Sequence, residues 1–445
     1  MISYVSEIPY VSEFTSELSP DWLDFVAVVN GIEPPDRDER FAWCELGCGL
    51  GVTANVLAAA NPNAVFVGID ALPAHIASAQ ALSNAAGTSN LRLHELDFEA
   101  AVEVGFPPFQ YIVAHGVYAW IDKRASDALR RFISRHLAPD GLVYISYNAM
   151  PGWAANAPFQ HLISTFAARN IGCIRDRFDV AARKIQELTQ AGAPPLRAST
   201  IATEWDEYAE KREPAYLIHE YLAPAWRPLY VDQVRQDMRE IALSPAGSAI
   251  LVENFDSLVL RRTAREALRE IEDSDLRELA RDYFLVQNFR RDVFTASSRR
   301  LDVENRRARL LNTHFARLRP AEAVALTMQT QAGSISFDNA VARTLVASSS
   351  IRGCKLRDLP GNESDLVANA LALCCARGFW PAETSARDMT QLNEALFRNT
   401  GGDAAYYALP FGTALRFSRR FVEALRQGNT PEAASWNSFL RGSEG

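Results

Sequence analysis

Phe41-Ala42-Trp43-Cys44-Glu45-Leu46-Gly47-Cys48-Gly49-Leu50-Gly51 decides how this 445-residue chain is read. An apolar run with an acid near its end passes into three alternating glycines and then into an alanine-rich segment, Val52 to Ala60. That order predicts a buried strand, a tight turn and a helix. Gly47, Gly49 and Gly51 remove every Cβ where the backbone must pass close under a ligand, and the helix start points its amides into the same space. The stretch is a cradle for a nucleotide-like molecule, with Cys48 between its glycines.

Ala64-Val-Phe-Val-Gly-Ile-Asp70 repeats the buried-strand pattern and ends in an acid. Asp70, followed by Ala71, lies about twenty residues beyond the turn, the spacing at which a carboxylate receives ribose hydroxyls in a doubly wound fold. The glycine spacing, however, is Gly-x-Gly-x-Gly and not Gly-x-Gly-x-x-Gly. With Glu45 at the strand end, the stretch resembles the first motif of class I S-adenosylmethionine-dependent methyltransferases. A carboxylate there suits a sulfonium and an ammonium and would repel a diphosphate.

Working outward, strands are predicted at 41–46, 64–69, 90–94, 110–114 and 141–147, with helices at 52–60, 73–86 and 123–137. Strand and helix alternating at this spacing give right-handed crossovers and a parallel, Rossmann-like α/β sheet that binds ligands at the carboxyl ends of its strands. Each candidate residue falls at such an end. Asp97 and Phe98 follow the third strand, where a carboxylate can receive the adenine amine and a ring can pack on the base, or where both can serve a turn and the core. His115, Tyr118 and Trp120 follow the fourth. The histidine can accept a proton or simply bond a backbone carbonyl, and the aromatic faces can hold a cation or form wall. After the fifth strand, Tyr147-Asn148-Ala-Met-Pro-Gly-Trp153 places a Pro-Gly turn between Asn148 and Trp153, and Asn148 can orient an acceptor or cap the turn.

Residues 155–228 lack strand signals and read as a helical insertion, in which Tyr221 or His219 can face the cleft. The amphipathic stretch 230–243 and a strand pattern at 248–255 resume the sheet, so the donor-binding domain spans 1–154 and 229–256. A helical middle domain at 257–320 and a C-terminal docking or regulatory module at 321–445 complete the division.

Composition narrows the class. Residues 1–150 carry 18 acids and 8 Lys or Arg, a poor nucleic-acid surface and a good one for a cationic molecule. The 15 arginines of residues 259–320 alternate with 10 acids at helical spacing, as in a solvated helix pair held by ion pairs. No apolar run reaches membrane-span length, and Met1 to Tyr10 holds an acid and a proline where a signal peptide needs positive charge. A soluble, cytoplasmic chain is expected. The six cysteines show no zinc spacing and imply reduced thiols and no metal site.

Taken together, the chain resembles bacterial class I methyltransferases with a methyltransferase regulatory domain, the group that includes the rickettsial outer-membrane-protein lysine methyltransferases. The resemblance rests on the leader Tyr10 to Pro20, Glu45 to Gly51, Gly68 to Asp70, Ala114 to Trp120, Ser146 to Trp153 and Pro214 to Leu222. It implies S-adenosylmethionine as donor and S-adenosylhomocysteine as product. It also implies donor contacts at Tyr10, Phe14 and Glu17 of a covering leader and at Glu45, Gly47, Cys48, Gly49, Asp70, Ala71, Asp97, Phe98 and His115. Dimerisation through the insertion and lysine side chains of protein as a substrate class are implied as well. Under that reading Tyr118, Trp120, Trp153 and Tyr221 bind the substrate, and Asn148 or Tyr118 aims the amine while dry aromatic walls lower its pKa. The alternative is a sugar or other small acceptor with His115 as base.

Overall fold

The computed structural model describes residues 13–37, 40–382, 387–399, 404–428 and 430–441, so the expectation for Tyr10 lies outside the described residues. Five strands, β1 (Ala42–Leu46), β2 (Val65–Asp70), β3 (Leu91–Glu95), β4 (Phe109–Ala114) and β5 (Leu137–Asn148), run parallel. β1 is buried along its whole length. Trp43 enters one apolar layer with Phe66 and Tyr111, while Cys44 and Leu46 enter the opposite layer with Val67 and Ile112. A strand covered on both faces has no polar side, which is why this run shows no alternation.

The covering helices follow in order: α1 (Pro20–Val29), α2 (Val52–Ala60), α3 (Pro73–Ala86), α4 (Phe98–Glu103) and α5 (Lys123–His136). Leu129, Phe132 and Ile133 of α5 pack on one sheet face; Trp22, Val26 and Val29 of α1 pack on the other. The insertion contributes α6 (Ala157–Arg169), α7 (Ile174–Gln190), α8 (Pro194–Arg197), α9 (Thr200–Thr203), α10 (Trp205–Glu210) and α11 (Pro214–Leu222). These close on their own core of Phe159, Ile163, Phe178, Ile185 and Trp205. After α12 (Val231–Arg239), β6 (Ser244–Ser248) and β7 (Phe289–Thr295) complete the sheet in the order β3-β2-β1-β4-β5-β7-β6. β7 is antiparallel to β5 through seven pairs, from Leu142↔Thr295 to Asn148↔Phe289.

Two strand expectations need correction. The strand expected at 248–255 lies at 244–248, and Leu251–Asn254 forms a 3-10 turn instead. The apolar run there is buried beneath α1, where Trp22 Nε1 donates to the Ala249 carbonyl at 2.9 Å, and the Asn254 side chain bonds both Ser248 N and Ser248 O. The helical reading of 257–320 fails at β7 and again at the strand His314–Arg317. Arg290 and Asp292 look like a solvated face, yet both are buried, because Arg290 binds Asp282, Glu278 and Asp292 together.

The C-terminal residues share the main core with the sheet. Phe379–Pro381 is a strand pairing with His314–Arg317, which also pairs with Cys354–Lys355. Trp380 stacks on Trp22 with ring centroids 4.3 Å apart. A hairpin of Ala404–Leu409 and Thr413–Ser418 follows, and the helix Thr390–Asn399 lies against α3. No described helix is long and apolar enough to cross a membrane.

Candidate active site

At the carboxyl ends of β1, β2, β4 and β5 opens a cleft of about 1300 Å³. Its inner floor is the glycine turn, with φ of +79° at Gly47, +52° at Gly49 and +70° at Gly51, a region that side-chain-bearing residues rarely adopt. A Cβ on Gly51 would come within 2.5 Å of the Ala79 Cβ, whereas one on Gly49 would meet nothing within 4 Å. The first glycine therefore lets α2 sit against α3, and the second leaves a bare peptide beside open cleft.

Asp70 is held in place from three sides. Gly49 N donates to its Oδ2 at 2.9 Å, Leu72 N donates to Oδ1 at 2.9 Å, and His75 Nδ1 lies 3.2 Å from Oδ1. Oδ2, with Gly49 N as its one donor, keeps acceptor capacity for a hydroxyl. Glu45 lines the same cleft but is buried, and its Oε2 has no partner. Burial first, and then the charge of Asp70, push its carboxyl well above the usual range. An orphaned buried carboxylate oxygen beside a bare peptide floor fits a donor with a cationic end. Asp97 caps α4, its Oδ1 accepting from Ala100 N at 2.8 Å, and Phe98 lines the cleft beside it. Cys48 and Ala71 complete this half.

His115 lines the cleft, with Nδ1 2.9 Å from the Tyr144 hydroxyl and 3.2 Å from the Ser146 hydroxyl. Burial and then the Arg291 charge hold its pKa down to about 4, against the opposing pull of Glu17. The ring is neutral at pH 7 and weakly basic. In the outer half, Trp120, Asn148 and Trp153 line the cleft, and the Trp153 ring meets Trp226 edge-on at 4.9 Å.

Four of the expected site residues point elsewhere. Tyr118 is buried on the far side of its loop, its hydroxyl donating to Asp237 Oδ2 of α12 at 2.6 Å, while Trp120, two residues on, takes the cleft side. Tyr221 is fully buried in the insertion core with its hydroxyl on that of Tyr208 at 2.9 Å. One helical step turns a side chain by about 100°, so Tyr216 and Glu220, four residues apart, share the cleft face that Tyr221 leaves. Phe14 packs edge-on against Tyr406 at 6.2 Å. Glu17 is buried between Arg291 and Arg377, because the 3-10 turn Ser16–Leu18 carries it away from the cleft that Glu13 and Thr15 line.

Several cleft residues escape the sequence reading: Tyr216 and Glu220 of α11, Arg291 of β7, and Ala404 and Arg416 of the C-terminal hairpin. The four-residue spacing of Tyr216 and Glu220 was the one local signal available. The hairpin reaches the cleft only through tertiary packing.

The sheet order, the glycine floor and the fixed carboxylate at the end of β2 define a class I methyltransferase. Residues 44–143 match the model of a methyltransferase domain, and residues 213–296 match that of a predicted methyltransferase regulatory domain. The uncharacterized protein sll1526 of Synechocystis sp. is 33% identical over 342 residues, covering 77% of this chain and 68% of that protein. The uncharacterized protein RP789 of Rickettsia prowazekii is 28% identical over 237 residues, 53% of this chain and 42% of its own length. Among solved structures, PKMT2 from Rickettsia typhi in complex with AdoHcy shares the fold over 97% of this chain and 91% of its own, with a TM-score of 0.71 at 17% identity. The chain belongs to the S-adenosylmethionine-dependent methyltransferases that carry a methyltransferase regulatory domain.

Proposed function

We propose that the protein methylates lysine side chains of a protein substrate by direct displacement. The observation that carries this reading is the charge of the cleft. Among the described residues lining it are nine acidic side chains and five Lys or Arg side chains, and the seven acids other than the buried Glu45 and Glu220 already outnumber the cations, a balance that attracts both a cationic donor and an ammonium acceptor. In the inner half, Asp70 receives the ribose hydroxyls, Asp97 and Phe98 the adenine, and the glycine floor with Cys48 and Ala71 the body of the donor. Glu45 neutralises the ammonium of its amino-acid end. When bound, S-adenosylmethionine supplies an electrophilic methyl group whose bonding electrons leave with sulfur as the acceptor nitrogen forms the new bond.

The chain's own task is to align and to dry the site. Trp120 and Trp153 exclude water from the acceptor side chain, which favours the uncharged amine. Asn148 spends its Nδ2 on Glu220 Oε1 at 3.2 Å, leaving Oδ1 to accept an N–H of the amine and aim its lone pair. A small hydroxyl acceptor with His115 as base has weaker support, since Tyr144 and Ser146 occupy Nδ1 and the pKa of about 4 makes the ring a poor base. Dimerisation through residues 155–228 accords with the full exposure of Ile171 at the insertion tip. A cytoplasmic setting and a docking role for the C-terminal residues belong to the same proposal. Incubation with methyl-labelled donor and bacterial lysate tests it: methyl-lysine in protein hydrolysates is expected, and label confined to small molecules would overturn it.

A further inference from the structure

Glu220 has a position that packing alone does not explain. It is 6% exposed and lines the outer half of the cleft, next to Asn148, Tyr216 and His219. Its hydrogen bonds come from neutral groups, Asn148 Nδ2 at 3.2 Å and the Tyr216 hydroxyl. Tyr208 of α10 and Tyr216, His219 and Tyr221 of α11 are the titratable side chains around it, and Arg212 is the cation in reach. Arg212 is already engaged: its guanidinium lies 3.5 Å from the Tyr208 ring centroid and donates to the Tyr208 carbonyl at 2.9 Å. A buried carboxylate served by neutral donors and opening onto a cleft wants a cation from outside.

We propose that Glu220 receives the ammonium of the acceptor lysine and takes one of its protons before methyl transfer, an inference that rests on the lysine reading above. In that step an N–H bond breaks, its electron pair stays on nitrogen, and the proton forms an O–H bond on Glu220. The neutral amine then holds the lone pair that attacks the methyl carbon. The proton on Glu220 later passes to water through the open cleft. Burial, opposed by Asn148, Tyr216 and Arg212, pushes the Glu220 carboxyl up to about 7. From a lysine near 10.4 the transfer is then uphill by a factor of about 10³, against about 10⁶ for an ordinary glutamate near 4.3.

The test begins with the full chain, free of donor. In ¹³C NMR of glutamate-labelled protein, the carboxyl resonance that disappears in Glu220→Gln should titrate near 7 and move to lower pH when n-butylammonium, a side-chain mimic, is added. In the lysate assay Glu220→Gln should lose at least 100-fold in methyl-lysine yield while its thermal unfolding matches the parent. Glu220→Asp replaces it if the Gln variant does not fold. A titration near 4.3 that ignores n-butylammonium, or an unchanged yield in a folded variant, overturns the assignment of Glu220 and leaves the lysine reading standing. A parent enzyme that labels no lysine overturns both.

Discussion

Glu17 joins three distant parts of the chain, and replacing it by glutamine isolates what its charge contributes. Its carboxylate comes from the turn before α1 and binds Arg291 of β7 and Arg377, which follows the helix Glu363–Cys375. Burial alone would raise its pKa, but Arg377 and Arg291 outweigh that and hold it at about 2, against an ordinary 4.5. At 1.36 kcal/mol per pH unit, that gap is worth about 3.4 kcal/mol as an upper bound. The side chains of Arg377 and Arg291 are 41% and 27% exposed, so water screens the pair and about 1–2 kcal/mol is expected. Because the folded pKa is the lower one, the contribution is complete above the unfolded value and fades as pH falls towards about 2. Linkage leaves less than half of it at about pH 3. Urea unfolding of the parent and of Glu17→Gln, followed by circular dichroism at pH 7 and pH 3, measures both quantities. A gap under about 0.5 kcal/mol at pH 7, or one that persists undiminished at pH 3, refutes the reasoning.

Three further perturbations probe the donor half and the shared core. Gly51→Ala drives a Cβ to 2.5 Å from Ala79 and should remove at least about 2 kcal/mol of stability, whereas Gly49→Ala, with open space around it, should lose only about 1 kcal/mol. Calorimetry should nevertheless find AdoHcy binding at least tenfold weaker in Gly49→Ala, and equal stabilities in the two variants would contradict the packing of the turn. Asp70→Ala should weaken AdoHcy at least tenfold by removing the ribose acceptor, and unchanged affinity would sink the donor assignment. Trp380→Ala, in a stack with Trp22, should destabilise the whole chain by about 3–5 kcal/mol, and a loss under about 1 kcal/mol would mean that the C-terminal residues stand apart from the sheet.

How much of this was legible in sequence depended on whether the signal was local. The strand-turn-helix from Ala42 to Ala60 announces itself because glycine spacing and continuous apolarity are written into adjacent residues, and 73–86 agrees with α3 to the residue. β7 was illegible for an equally physical reason: Arg290 and Asp292 satisfy each other inside the protein, and a buried ion cluster has the composition of a surface. Tyr118 and Trp120 illustrate the limit at the site. Sequence brings both aromatics to the end of β4, but only the packing of α12, with Asp237 waiting for the phenol, decides which one turns inward. The cleft role of Glu220 is hard to read from sequence because its neighbours Asn148 and Tyr208 lie 72 and 12 residues away, although Tyr216 lies one helical turn before it.

The segment matched as a regulatory domain cannot act as a detachable one. Residues 213–296 contain α11 with Glu220, both closing strands, and Arg291 beside His115. Remove them and β5 loses its seven-pair partner β7, leaving a long, apolar strand with an unpaired edge. The cleft would lose Tyr216, Glu220, Phe289 and Arg291 at the same stroke. A displacement of β7 would move Arg291 in the cleft and, through Glu17 and Arg377, the C-terminal residues with it. Regulation in such an architecture acts on the geometry of the transfer itself, so an effector bound at residues 213–296 should change turnover at saturating donor more than donor affinity.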